Sequence, residues 1–485
     1  MLDRRSLLKA GLLAGGALLL PGAGRSSGAA RRPGAAGLPF SCSLPRTSSL
    51  RQPPFEAELP IPPVLAPVRS TATTDWYRVT MAATEQPAVA GVPAPLWTYA
   101  GTWPGPTIVA RRGRRVVVTQ QNDLPFDTVV HLHGGRTPPE HDGGPTDVIP
   151  PGTARTYVYE NDQRACTLHY HDHALMATGP HVYRGLSGFY LITDAVEDGL
   201  DLPRGAFDVP LLVQDRIVDA DGSFWYPATT SDGLEGDTIF VNGAVQPRMA
   251  VRTRQYRLRI LNGSNCRTYE LALSGGRQLR VIGTDGGLVP RPVKRPSVRL
   301  APGERVEVVV DFRRAAVGDQ VVLRNLAGSG PTADVMRFDV TWRERDPVEV
   351  PAELRPLAPL TGATVTRDLE LSHDTDLGWV IDGQGFDPDR VDARPAYGST
   401  EIWQFRNVTG MAHPMHLHLV HFQVLDRDGA PPPPEEVGWK DTVLVAPGET
   451  VRVIARFSGH RGRYVFHCHN LEHEDHDMMG QFEVV

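Results

Sequence analysis

Past its first thirty residues, this 485-residue chain has no apolar run approaching the roughly 20 residues that a membrane-spanning helix needs. A helical span is excluded, and the mature chain is expected to be soluble. No long segment there carries the 3.6-residue spacing of an amphipathic helix, which leaves β-structure as the default. Basic residues do not outnumber acidic ones, 50 against 56, and nothing in the charge suggests a nucleic-acid partner. Cysteine is scarce, with four residues: Cys42, Cys166, Cys266 and Cys468. An oxidising compartment would permit one disulfide among the first three, and the sequence leaves open which two would pair. The nine methionines form no methionine-rich tract. Histidine is plentiful at seventeen but missing from the middle of the chain: seven lie from His131 to His181, nine from His413 to His476, and His373 stands alone.

What is present begins with an export signal. Arg4-Arg5 and Lys9 precede an apolar run from Ala10 to Leu20 and small residues ending at Ala29-Ala30. The pair in DRRSLLK resembles the twin-arginine signal for folded proteins, with a general secretory signal as the alternative. Its removal takes away four basic residues and Asp3, moving the formal charge from −6 to −9. The expected location is the periplasm or the extracellular space. The remainder is too long for one ordinary core, and its size predicts about three domains.

Short runs rich in Val, Ile, Tyr and Phe, such as RRVVVTQ, RVEVVVDF and TVRVIARF, alternate with Gly, Pro, Asn and Asp. This is the pattern of antiparallel β-sandwiches. A Pro-Gly pair followed by a strand recurs at Pro151-Gly152, Pro302-Gly303 and Pro447-Gly448, and strands ending in asparagine recur at Asn122, Asn262 and Asn407. Three similar domains follow. The expected boundaries are a signal over 1–30, a Pro/Ser/Arg-rich linker over 31–54, and domains over 55–197, 198–348 and 349–485.

The repeat serves as a ruler. Nine residues after the asparagine, the first copy has His131 and His133 and the third has His416 and His418, where the middle copy has Leu271 and Leu273. Twenty residues after the proline, the outer copies have His171 and His173, and His467 and His469, against Val322 and Arg324. Residues i and i+2 of a strand share a face, so each His-x-His pair aims two imidazoles at one place. β-Packing alone has no use for paired imidazoles in two copies and apolar residues in the third. The arrangement predicts a metal cluster shared between domains 1 and 3, with the middle domain as a spacer.

Cys468 lies between His467 and His469, and strand alternation turns its sulfur to the opposite face. His473 and Met478 follow it, and His413 precedes the His416 pair by three residues. Two imidazoles, a thiolate and a weak thioether make a trigonal electron-transfer copper site. A structural zinc site closes with four ligands and would leave most of these histidines unexplained.

HLHG at 131–134, HYHDH at 169–173, HPMHLH at 413–418 and HCHNLEHEDHDMM at 467–479 resemble the four copper motifs of the multicopper oxidases. The resemblance covers essentially the whole mature chain and implies three Greek-key cupredoxin domains. It implies four coppers: type 1 on His413, Cys468, His473 and Met478, type 2 on His131 and His416, and a type 3 pair on His133, His171, His173, His418, His467 and His469. His169 stands where many members have an aromatic residue, and is read as packing beside the ligands. His141, His181, His373, His421, His460 and His476 fall outside the motifs' ligand positions and are expected to face solvent or form hydrogen bonds. By similarity of their motifs, Asp142 and then Glu474 are candidates for proton delivery.

The activity implied is that of a laccase-like oxidase, with a phenol or aminophenol as the reducing substrate and dioxygen as the acceptor, acting as a monomer. Met478 as axial ligand predicts a low-to-middle type 1 potential. The alternatives are a cuprous oxidase for copper tolerance, which the missing methionine-rich insert disfavours, and a bilirubin-oxidase or spore-coat specificity. A copper-free cupredoxin scaffold is disfavoured by the complete ligand set, and a two-domain nitrite reductase by the third repeat. Substrate choice is expected to depend on loops near the type 1 site, including 426–441 with Pro431 to Pro434 and Asp441.

Overall fold

Each asparagine that marks the repeat ends a strand beside its Pro-Gly turn, and the two are bonded to each other. The Gly152, Gly303 and Gly448 amides donate to the Asn122, Asn262 and Asn407 carbonyls at 2.7, 3.0 and 3.1 Å. The glycines adopt φ of +74°, +79° and +74°, the left-handed region that a side chain disfavours. The asparagine side chains repeat a second pattern. Asn122 Nδ2 donates to the Phe126 and Ile149 carbonyls, Asn262 Nδ2 to those of Arg267 and Leu300, and Asn407 Nδ2 to those of Met411 and Val445. In each copy the Oδ1 accepts the amide two residues on. One buried side chain thus fixes the exit of one strand, the start of the next segment and the approach to the turn.

The computed structural model describes Cys42, residues 44–228 and residues 230–485; the export signal and the start of the expected linker lie outside the described residues. Residues 69–193 form two sheets, in the orders Arg69–Ser70, Thr74–Val89, Arg115–Asn122, Ala154–Tyr159 (with Val92–Tyr99 on Thr74–Val89) and Gly105–Arg111, Ser187–Thr193, Cys166–His171, His131–His133. Two further pairs of sheets cover residues 208–342 and 365–484. In every copy the Asn-terminated strand lies parallel to an earlier strand, Thr74–Val89, Asp208–Arg216 or Val365–Asp374, and antiparallel to the strand after Pro-Gly. These are Greek-key sandwiches of the cupredoxin type. Each closes over a core of Val, Leu, Ile and aromatic side chains, centred on residues such as Val118 and Tyr190, Leu258 and Phe338, and Trp403 and Phe482. Among the described residues, no helix is long and apolar enough to cross a membrane.

The described residues 44–54 are bonded to the second sandwich. Ser48 donates its amide to Asp237, and the Ser49 and Leu50 amides reach the Val218 carbonyl. Cys42 forms a disulfide with Cys266 across a Cα separation of 6.3 Å, which leaves Cys166 free and buried.

Asn262 belongs to the sandwich without histidine pairs, so its corner can be tested on folding without removing a histidine. Asn262→Ala strands two buried carbonyls and one amide, and is expected to cost about 2–4 kcal/mol of stability. The denaturant midpoint of the copper-free protein should fall accordingly.

Candidate metal centre

The outer sandwiches present their histidines through the same ladder. His131–His133 pairs with Cys166–His171, placing His131 opposite His171 and His133 opposite His169. His413–Leu417 pairs with Gly462–Cys468, placing His416 opposite His467 and Met415 opposite Cys468. In the middle sandwich Leu271 faces Asn325 and Leu273 faces Leu323. The counterpart of His171 is therefore Asn325, three residues beyond the Val322 obtained by counting. The added residues lie between Asp311 and Gln320, a connection where insertions are tolerated. His173, His418 and His469 sit just past the ends of their strands, so simple alternation explains only part of the convergence.

All eight paired histidines are buried and meet between the first and third sandwiches. Their rings stack across that boundary, His131 on His418 with centroids 3.8 Å apart and His133 on His416 at 3.7 Å, the pseudo-twofold arrangement expected from the repeat. His418 Nε2 lies 3.3 Å from both His173 Nε2 and His467 Nε2. His131 Nε2, His133 Nδ1, His171 Nε2 and His416 Nε2 are buried without hydrogen-bond partners. Burial pushes the pKa values of His131, His133, His416, His418 and His469 well below the usual range, and that of His171 down to about 4. Neutral imidazoles with unpartnered lone pairs aimed at one another suit metal ions and little else.

The other nitrogens are held by protein. His131 Nδ1 meets the Asp142 carbonyl at 2.6 Å, His171 Nδ1 the Asp172 carbonyl at 2.8 Å and His416 Nδ1 the Asp441 carbonyl at 2.8 Å. Such contacts select the ring nitrogen that remains for the metal. Asp142 Oδ2 lies 2.6 Å from His418 Nδ1, and burial raises its carboxyl well above the usual range. Asp142 also borders a cavity of about 410 Å³ together with Asp147, Arg155, Arg463 and Tyr464. Glu474 lies 2.9 Å from His173 Nδ1 and 3.1 Å from His467 Nδ1. Burial opposes its charge, but those two imidazoles outweigh it and hold the carboxyl well below the usual range.

Asp441, expected in a loop near the Cys468 pocket, is buried beside the cluster. Its Oδ1 lies 3.0 Å from His133 Nε2, and both its oxygens accept from Arg305 of the middle sandwich, at 2.7 and 2.6 Å. Arg305 also donates to the Thr167 and Gly303 carbonyls. A Cβ on Gly303 would lie 2.8 Å from the His469 ring. The middle sandwich is therefore more than a spacer, because its arginine and its Pro-Gly turn shape the cluster wall. The 426–441 stretch packs against it, with Arg427, Pro433, Glu435 and Lys440 lining a cavity shared with Arg295 and Glu304.

The second pocket lies on the other face of Gly462–Cys468. Cys468 Sγ is 3.5 Å from His413 Nδ1 and 3.6 Å from His473 Nδ1, and the two nitrogens are 3.2 Å apart. A point equidistant from all three lies about 2 Å from each, close to a metal–imidazole bond length. Burial raises the Cys468 thiol pKa far above normal, so a thiolate here needs a cation. Met478 is buried in the same core, and its carbonyl accepts the Cys468 amide. His473 comes from the helix Leu471–Asp475. The Cys468 counterpart, Asp172, accepts the Val129 and Ala174 amides and pairs with His181, a structural role instead of a metal-binding one.

Sequence reasoning missed several neighbours of this pocket. Trp379 stacks on His473 at 4.3 Å and carries the exposed His373 against its edge. Thr409 Oγ1 holds His413 Nε2 at 2.9 Å, and Asn470 lies between His473 and the Cys266 sulfur. Trp379 and Thr409 lie outside the metal-ligand motifs, and Asn470 lies inside one at a position with no ligand role. His421 and His476 are hydrogen-bonded to carbonyls, in keeping with their exclusion from the ligand set.

Paired Greek-key sheets carrying a cysteine–histidine pocket back to back with a histidine cluster define a copper redox protein of the cupredoxin type. Family models described as multicopper oxidase match residues 79–197, 219–329 and 358–485. A laccase of Bacillus stratosphericus is 39% identical, covering 89% of this chain and 99% of its own length. Bilirubin oxidase of Albifimbria verrucaria is 36% identical over 90% of this chain and 82% of its own. The crystal structure of a laccase from Pediococcus acidilactici superimposes with a TM-score of 0.85 at 34% identity, covering 91% of this chain and 96% of that one. The chain belongs to the multicopper oxidase family. It is a copper oxidoreductase that couples one-electron oxidation of a reducing substrate to four-electron reduction of dioxygen to water.

Arg305 supplies the test of the middle sandwich. Arg305→Met leaves Asp441 buried without its cation, a change expected to cost about 3–5 kcal/mol. Copper should be lost from the histidine cluster before the blue colour of the Cys468 site fades, as followed by metal analysis and visible absorption during dialysis.

Proposed function

We propose that the chain is a laccase-like oxidase of small phenolic or aminophenolic donors with four coppers. His413, Cys468, His473 and Met478 hold type 1, His131 and His416 hold type 2, and His133, His171, His173, His418, His467 and His469 hold the type 3 pair. The observation that carries this reading is the placement of Cys468 in one pocket while its chain neighbours His467 and His469 stand in the other. When bound, copper supplies one-electron chemistry at the first pocket and accumulates four electrons for dioxygen across both.

The chain's own residues account for the rest. Cys468 is covalently continuous with both flanking histidines, so the backbone joins the two pockets by the shortest possible path. Trp379 covers His473, and the donor site is placed on its outer side near His373 and Ser231, whose carbonyl accepts the indole N–H at 2.7 Å. A flat aromatic donor suits that surface. Asp142 links His418 to a cavity and favours its protonated form, which suits a proton donor. Glu474 orients His173 and His467, and is the second proton-handling group.

The domains are placed at 55–197, 198–348 and 349–485, after a signal over 1–30 and a linker over 31–54. The protein is placed in the periplasm or outside the cell as a monomer. The Cys42–Cys266 disulfide supports an oxidising compartment. Cu(I) is the second candidate donor, disfavoured by the absence of a methionine-rich tract.

Cys468→Ser is expected to abolish the blue absorption and the turnover while three coppers remain bound; retained oxidase activity would contradict the scheme. Asp142→Asn should leave anaerobic reduction of the blue site unchanged and slow dioxygen turnover by about 10²-fold. Full-rate oxygen uptake by that variant rules out its role. A donor panel monitored by oxygen consumption should favour aminophenols and phenols over Cu(I), and the reverse order would make the protein a cuprous oxidase.

A further inference from the structure

Nine buried imidazoles face the cluster, one more than the repeat supplies. His169 lies two residues before His171 on the strand Cys166–His171, so both rings turn to the same face. It stands opposite His133 in the ladder, with its ring centroid 4.4 Å from that of His133 and 4.9 Å from that of His171. Its Nδ1 is buried and has no hydrogen-bond partner. One ligand nitrogen from each of His133, His169, His171 and His469 lies within 4.8 Å of the other three.

The related group across the pseudo-twofold, His173, His418 and His467, holds three imidazoles. There the position matching His169 is Val465, two residues before His467 and buried. The difference lies within the chain itself, since the same strand position carries a nitrogen donor in one outer sandwich and an apolar side chain in the other.

We propose that His169 is a fourth imidazole ligand for the copper held by His133, His171 and His469, making the two halves of the type 3 pair unequal in donor number. The assignment rests on the four-copper reading above. A buried nitrogen without a partner costs about 1–3 kcal/mol, and ligation removes that cost. Four nitrogen donors close a four-coordinate shell, whereas three leave one position open. The copper in the four-histidine pocket is therefore the slower to exchange, and the three-histidine side keeps the free position.

Copper release from the holoprotein into EDTA tests this directly. His169→Phe keeps the ring bulk and removes the donor. It should retain the blue absorption but lose one copper at least about tenfold faster than the wild type, with the other three unchanged. Imidazole added to His169→Gly should slow that loss again, whereas benzene, which fills the same space without a donor, should not. If His169→Phe does not fold, His169→Gln carries the same comparison. Wild-type release rates for all four coppers in these variants overturn the assignment and leave the four-copper reading standing. A wild-type protein that never holds four coppers overturns that reading and this inference with it.

Discussion

Removing an imidazole from water while one of its nitrogens faces no partner is unfavourable, and this chain does so repeatedly at one place. His131, His133, His171 and His416 each direct a bare nitrogen into the space between two β-sandwiches. The rest of the structure follows from keeping those rings neutral, oriented and dry. Backbone carbonyls of Asp142, Asp172 and Asp441 occupy the nitrogens facing away. Glu474 sets negative charge beside His173 and His467, where it favours a cationic occupant. The sandwiches must then meet closely enough for His131 to stack on His418 and His133 on His416, which ties the cluster to the boundary between domains.

The same constraint explains the middle sandwich. It supplies no histidine, yet Arg305 neutralises the buried Asp441 and holds the Thr167 carbonyl, joining all three sandwiches at the cluster wall. Lys440 adds a second buried link through Asp285 and Glu304. The middle copy lacks the histidine pairs, but it holds a packing position at the cluster wall. The asymmetry between the outer copies is equally local: Cys468 makes one strand serve two pockets, while Asp172 in the matching place organises loops.

Much of this was legible from residue order. Asn122, Asn262, Asn407 and the three Pro-Gly pairs mark the fold because they bond to one another, and a repeat of mutually bonded residues keeps its spacing. The His-x-His pairs could be read from strand alternation, and the predicted histidines and Cys468 stand in groups within ligand reach of one another. The count failed where a loop absorbed three extra residues, so that Asn325 stands opposite Leu271. Arg305 was invisible because it acts through Asp441, 136 positions away in the chain, and no local pattern marks such a partner. Asp441 was misplaced because it closes a proline-rich loop, and its orientation depends on tertiary packing. Trp379 carries no motif of its own, and His169 stands inside HYHDH at a position read as packing; what they touch could be seen only in the fold.

On the proposed four-copper reading, one cysteine–histidine pocket and one histidine cluster hold copper in a ratio of one to three. Anomalous diffraction at the copper absorption edge, from crystals of the copper-loaded protein, measures this directly. One peak is expected between His413, Cys468 and His473, and three among the eight paired histidines at the boundary of the first and third sandwiches. A single peak at Cys468 with an empty cluster, or peaks away from both pockets, would contradict it.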